Sequence, residues 1–310
     1  MLRRLKRHSP AFLLLLLAAC GSLTRCSGPK PLDQAAFDAL YATPQAVGAG
    51  PQKTYHIGHS LVGRDMPAML AQLAGDGHGY DSQLGWGSPL KAHWDPDEEI
   101  NGFDVENNHP RYRDAMEAVT SGEYDALVLT EMVEIRDAIK YFNSGDYLHR
   151  WAQAGWGANP EMRVYLYETW HPLDDPEGWL ERIDSDLARY WEGDILRRAL
   201  AYDDMPHPVY VIPAGQVLAA FVRAIEATPV DGLSARADLF SDDIHINDLG
   251  AYLVALTHYA VLYQKSPVGL PHALNRADGT PATAPGEGTA RLMQETVWRV
   301  VQAYPPAGLP

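Results

Sequence analysis

Two nearly uninterrupted apolar runs, Ala126-Leu127-Val128-Leu129 and Val164-Tyr165-Leu166-Tyr167, constrain this chain most. Strands without polar alternation must be covered on both faces, as in a parallel sheet held between two helical layers. Three further strand candidates are Tyr55–Ile57, Asp81–Leu84 and Val209–Pro213. Helix-like stretches follow or separate them at Pro67–Ala74, Tyr112–Ser121, Tyr147–Gly155, Glu177–Tyr202, Ala214–Ala227 and Asp248–Tyr263. This alternation predicts an α/β protein: a three-layer α/β/α sandwich with a central parallel sheet of about five strands.

The amino end has a different character. Arg3, Arg4, Lys6 and Arg7 precede a short apolar run, Ala11 to Leu17, that is too brief for an ordinary transmembrane helix. This is the pattern of a signal peptide over 1–19. Leu17-Ala18-Ala19-Cys20 resembles a bacterial lipobox, which implies lipidation at Cys20 and a membrane anchor there. Gly21 and Ser22 follow Cys20, with no aspartate, as in lipoproteins placed on the periplasmic side of an outer membrane. Residues 20–50 then read as a lipidated N-terminus and tether, with one short helix near Asp33–Tyr41.

Cys20 and Cys26 are the only cysteines, so the body of the chain has no disulfide and no thiol chemistry. Its core alone must hold it, and 310 residues with 46% hydrophobic content are enough for one large domain. The formal charge of −15 falls to about −19 once the four basic leader residues are removed. Such an acidic body argues against nucleic acid as a partner and against electrostatic docking on anionic lipid.

Tyr55-His56-Ile57-Gly58-His59-Ser60-Leu61 is the stretch where chemistry enters. A strand runs into a glycine and then a serine, and Asp65-Met66-Pro67 opens a helix in which Asp65 is a candidate cap. A serine between a strand's carboxyl end and a helix amino end stands at the rim where open α/β sheets bind ligands. Far downstream lies Ser241-Asp242-Asp243-Ile244-His245, just before a helix whose cap is Asn247 or Asp248. An ester-cleaving serine needs a base, a group that orients the base, and donors for the oxyanion. His245 is the candidate base, and Asp242, three residues earlier, is its candidate orienter with Asp243 as the rival.

Gly58-His59-Ser60-Leu61 early and Asp242-Ile244-His245 late resemble the SGNH/GDSL hydrolase family, over roughly Thr54 to Lys265. The resemblance implies a flavodoxin-like sandwich, catalysis by Ser60, His245 and Asp242, and no cofactor. It also implies oxyanion donors at the Ser60 N–H and at Gly87, in Gly85-Trp86-Gly87-Ser88. The family's Gly-x-Asn-Asp element is absent. Leu129-Thr130-Glu131-Met132 stands in its place, where a carboxylate would repel an oxyanion unless protonated or turned away. His59 stands where many relatives have aspartate. Thr130 and Glu131 are therefore candidates for substrate binding, as are Trp170 and His171, with Trp170 offered as a ring to stack on a sugar.

The resulting expectation is a serine esterase acting on O-acyl, above all O-acetyl, esters of a small molecule or glycan in the cell envelope. The hydrolase-like domain spans 51–268, and a C-terminal extension over 269–310 ends in a helix at Thr289–Ala303 packed on it. Nothing in the sequence sets an oligomeric state. Two rival expectations are a metal-dependent hydrolase using His56, His59, His93, His171 and His245, and a non-catalytic, surface-tethered glycan-binding protein of the same fold. The first lacks ligand spacing; the second draws on the Glu131 departure.

Overall fold

The computed structural model describes residues 28–46 and 52–310. The signal peptide at 1–19, the lipidation candidate Cys20, and Cys26 lie outside the described residues.

Five strands form one parallel sheet: β1 (Lys53–His59), β2 (Gly79–Gly85), β3 (Ala126–Leu129), β4 (Arg163–Glu168) and β5 (Tyr210–Pro213). Their order is β2-β1-β3-β4-β5. The helices are α1 (Gln34–Leu40), α2 (Asp65–Ala74), α3 (Leu90–Trp94), α4 (Phe103–Glu106), α5 (Ala115–Thr120), α6 (Ile135–Phe142) and α7 (Ser144–Ala158). After β4 come α8 (Trp179–Asp186), a π-helical stretch over Leu187–Leu196, and α9 (Arg197–Ala199). After β5 come α10 (Ala214–Ala227), α11 (Asp248–Tyr263) and α12 (Glu287–Gln302). Among the described residues, no helix is long and apolar enough to cross a membrane.

Helices α2, α10, α11 and α12 pack together over one face of the sheet, and α3, α5, α7 and α9 cover the other. This explains the two apolar runs: every residue of β3 and Val164 to Tyr167 of β4 is buried. The chain leaves β1 toward β2 on one side and later crosses to β3 on the other. The switch point lies at the carboxyl end of β1, where Ser60 follows.

The stretch read as a tether is not free of the body. Its helix, α1, buries Phe37, Tyr41 donates its hydroxyl to the Val209 carbonyl at 2.6 Å, and Gln45 N–H donates to the Gly308 carbonyl at 2.9 Å. The single helix read over Glu177–Tyr202 is divided among α8, the π-helical stretch and α9. Short α3 and α4 have too few apolar positions to show a period, whereas α6 carries Ile135, Ala138, Ile139 and Phe142 at helical spacing over only two turns; sequence reading passes all three over.

Candidate active site

The turn that carries Ser60 is built by its neighbours. Val62 N–H closes it on the His59 carbonyl at 2.9 Å, and the Tyr167 hydroxyl holds the Leu61 carbonyl at 3.0 Å. Gly58 is required by close approach, since a Cβ there would lie 2.4 Å from Thr130 Cγ2. Arg64 rather than Asp65 occupies the N-cap of α2, and the Asp65 carboxylate instead accepts from Ala277 N–H at 2.9 Å.

Two histidines brace the end of β1. Leu61 N–H donates to His59 Nδ1 at 3.3 Å, so the ring proton sits on Nε2 and is donated to the Glu131 carbonyl at 2.8 Å. His93 accepts from the Gln83 amide at Nδ1 and donates Nε2–H to the Gly58 carbonyl at 2.9 Å. Burial pushes both down to about 4, and both are neutral struts. Both nitrogens of each ring are engaged in these hydrogen bonds, which removes them from the set of metal-ligand candidates. His171 is likewise engaged with Asp186 at 3.3 Å. Among the described residues, no three His, Cys, Asp or Glu side chains are grouped to hold a metal ion.

The second half of the site is a loop folded by one carboxylate. Asp242 Oδ1 accepts from Ile244 N–H at 2.9 Å and from His245 N–H at 2.6 Å. That turn brings the His245 ring back so that its Nδ1–H donates to Asp242 Oδ2 at 2.7 Å. The other ring nitrogen, Nε2, then accepts from the Ser60 hydroxyl at 2.9 Å. Hydrogen bonds from the His245 and Ile244 N–H groups, and then from the His245 ring, push Asp242 down to about 2. It is therefore ionised at any pH near neutral. The loop runs into α11, where Asn247 is the cap, accepting from Leu249 and Gly250 N–H groups.

Other candidates take different places. Thr130 is fully buried and donates its hydroxyl to the Tyr167 carbonyl at 2.7 Å, so it does not reach substrate. Trp170 is also fully buried, so it offers no face to a sugar; its indole N–H donates to the Ile244 carbonyl at 2.8 Å. His171 is buried, and its carbonyl accepts from the Trp179 indole at 3.0 Å. Both sit under α8 and Phe240 rather than at the rim, because Trp179 and Phe240 pack over them.

Glu131 is buried as well, with its carboxyl group against the start of α3. Its Oε1 accepts from Leu90 N–H at 3.2 Å and Met132 N–H at 2.8 Å, while the Ser144 hydroxyl lies near the carboxyl group without closing a hydrogen bond to Oε2. Burial pushes it up to about 7. A carboxylate near a developing oxyanion is thus made tolerable in two ways: backbone N–H groups hold its Oε1, and it readily holds a proton.

The sheet register places the oxyanion candidates. His59 pairs with Gly85, so Ser60 and the loop containing Gly87 leave adjacent strands at the same edge. Among the described residues, neither the Ser60 nor the Gly87 N–H has a hydrogen-bond partner. Gly87 adopts φ of +57°, a conformation that favours glycine. A cavity of about 130 Å³ opens beside Ser60 and His245, lined by the apolar Leu61, Val62, Met66, Ile246 and Ala251 and by the polar Arg64, Asp65, Asn247 and Asp248.

No family model matches the chain, and no curated protein matches it in sequence. Among solved structures, the fold is similar to that of a DUF4886 family protein from Bacteroides uniformis. The two share 13% identity over 83% of this chain and 96% of that one, with a TM-score of 0.54. A candidate GDSL-like lipase from Parabacteroides merdae is 12% identical over 71% of this chain and 99% of its own, with a TM-score of 0.44. A carbohydrate esterase family 2 enzyme from Corynascus thermopiles, which also carries a carbohydrate-binding domain, is 11% identical over 70% and 67%, with a TM-score of 0.33. The likeness is one of fold; activity has to be argued from the site.

Proposed function

We propose that this protein is a serine esterase of SGNH/GDSL type that hydrolyses esters of short acyl groups. The observation that carries the reading is the hydrogen-bonded line Asp242–His245–Ser60, at 2.7 and 2.9 Å. Ser60 Oγ attacks the acyl carbonyl while His245 Nε2 takes the hydroxyl proton. The carbonyl electrons move onto oxygen, where the Ser60 and Gly87 N–H groups are the available donors. Collapse breaks the acyl–oxygen bond, and His245 returns the proton to the leaving alcohol. Water then repeats the sequence on the acyl-serine, releasing the carboxylic acid and restoring Ser60. Asp242 holds the ring proton on Nδ1 and stabilises the imidazolium formed in each half.

Pocket size supports the acyl preference. A closed apolar cavity of about 150 Å³ accommodates benzene, so a smaller, open one beside Ser60 suits an acetyl-sized group better than a fatty chain. Export and anchoring through Cys20 remain part of the proposal, resting on the leader sequence. Steady-state kinetics test the reading. Ser60→Ala and His245→Ala should each lower kcat on p-nitrophenyl acetate by at least about a thousandfold, and the double variant should be little worse, because the groups act as one unit. Wild-type kcat/KM should fall as the acyl chain is lengthened from acetyl to decanoyl. Undiminished turnover in folded Ser60→Ala would overturn the assignment.

A further inference from the structure

Trp170 does not offer a ring to solvent, but another tryptophan does. Trp86 is 51% exposed, whereas Trp151, Trp170 and Trp179 are buried. It is also held in place. Its backbone N–H donates to the Asn101 carbonyl at 2.7 Å, and its indole N–H donates to Glu106 Oε1 at 2.7 Å. One face of the ring lies on Gly102, at φ of +68°, where a Cβ would come within 2.2 Å of Cδ2. Only a residue without a side chain allows that contact. The indole is therefore backed on one side, pinned at its edge and half open to solvent.

Its position is set by the sheet. His59 and Gly85 form the last rung between β1 and β2. Ser60 and Trp86 are each the next residue out, on neighbouring parallel strands that run about 4.8 Å apart. Arg64 connects the same two places through side-chain contacts. It edges the cavity beside Ser60, and its guanidinium donates to the Val105 carbonyl and to the Glu106 carbonyl at 3.0 Å. Glu106 in turn holds the Trp86 indole.

We infer that Trp86 is the stacking platform for the pyranose ring that carries the ester. This rests on the esterase reading and extends it to the alcohol half of the substrate. A pyranose presents an apolar face of C–H groups and an edge of hydroxyls. A flat, backed indole matches the first, and the exposed carboxylate of Asp104 and the free oxygen of the half-buried Glu106 on α4 are acceptors for the second. An alkyl chain would need walls on both sides, which an open single ring does not supply. Glu106 and Asp104 beside the indole disfavour an anionic sugar there, so the proposed ring is a neutral pyranose.

The test compares two acetyl esters on the full chain: a monoacetylated methyl xylopyranoside and ethyl acetate. Trp86→Ala should lower the ratio of kcat/KM for the sugar ester over ethyl acetate by about tenfold, mainly through KM of the sugar ester, and Trp86→Tyr should restore most of it. A second arm uses calorimetric binding of neutral xylo-oligosaccharides to Ser60→Ala protein, with and without Trp86→Ala. Loss of binding with Trp86 would support the platform even if the wild type hydrolysed no ester, in which case the esterase reading alone would fall. An unchanged ratio in an active Trp86→Ala enzyme would overturn the platform and leave the esterase reading standing. Absence of oligosaccharide binding by Ser60→Ala protein would also overturn it.

Discussion

The Trp170 indole N–H donates to the carbonyl of Ile244 at 2.8 Å, tying the segment just after β4 to the residue before His245. The backbone of the same loop is held once more, where Leu173 N–H donates to the Asp243 carbonyl at 2.7 Å. A base on an exposed loop must be kept within hydrogen-bond reach of its nucleophile for efficient proton transfer. The segment after β4 thus serves the site from underneath, as a positioning element rather than a substrate contact.

That relationship predicts the behaviour of Trp170→Phe. The aromatic packing against Phe240 is largely retained, but the Ile244 carbonyl loses its donor. The expected result is a fall in kcat of about tenfold, equivalent to roughly 1.4 kcal/mol, within the range for a lost buried hydrogen bond. KM for a small ester should move much less. Kinetics on p-nitrophenyl acetate check this, and an unchanged kcat would show that the loop holds His245 without help.

The two neighbouring aspartates separate cleanly. Asp242→Asn retains an oxygen for the Ile244 and His245 N–H groups but places a donor against His245 Nδ1–H. The imidazole is then driven to the wrong tautomer, and kcat should fall by about 10³ to 10⁴. Asp243 contributes its backbone carbonyl to the loop, so Asp243→Ala should stay within about twofold of wild type. Comparable losses in the two variants would contradict the assignment of the orienter.

Two buried carboxyl groups predict how stability responds to pH. Burial pushes Glu131 up to about 7 and Glu168 up to about 8. In that range the folded state holds protons that the unfolded chain has already released, so stability falls as pH rises from about 4.5 through 8. For Glu131 the whole effect is on the order of 3 kcal/mol. Glu131→Gln keeps an oxygen for the Leu90 and Met132 N–H groups and cannot ionise. Its Tm should therefore decline less between pH 5 and 8 than that of the wild type. Parallel declines would mean that Glu131 does not titrate there.

Strand positions were legible because β3 and β4 are covered on both faces, which leaves almost no polar residue in Ala126–Leu129 and Val164–Tyr167. The grouping of Ser60, His245 and Asp242 was legible because it depends on short local spacings: a glycine and serine at a strand end, and a carboxylate three residues before a histidine. The roles of Thr130, Glu131, Trp170 and His171 were not. At a strand's carboxyl end, whether a side chain faces the rim or the interior depends on what packs above it. Here Phe240, distant in sequence, packs edge-on against Trp170, and Trp179 packs in turn against Phe240. The bracing by His59 and His93 was hidden for the same reason, since their partners include Glu131, just after β3, and Gln83 of β2. Trp86 was visible only as one of several tryptophans, and its backing by Gly102 is a tertiary contact.

Covalent labelling addresses the central claim most directly. An alkyl fluorophosphonate reacts with a serine only when a base draws off its proton and the displaced fluoride can leave. Intact-mass and peptide analysis of wild-type protein should show one adduct, located on Ser60. The adduct should disappear in Ser60→Ala and form at least about a hundredfold more slowly in His245→Ala, the base having been removed. A wild-type protein that acquires no adduct at Ser60, or a folded His245→Ala variant that is labelled at the wild-type rate, would contradict the account.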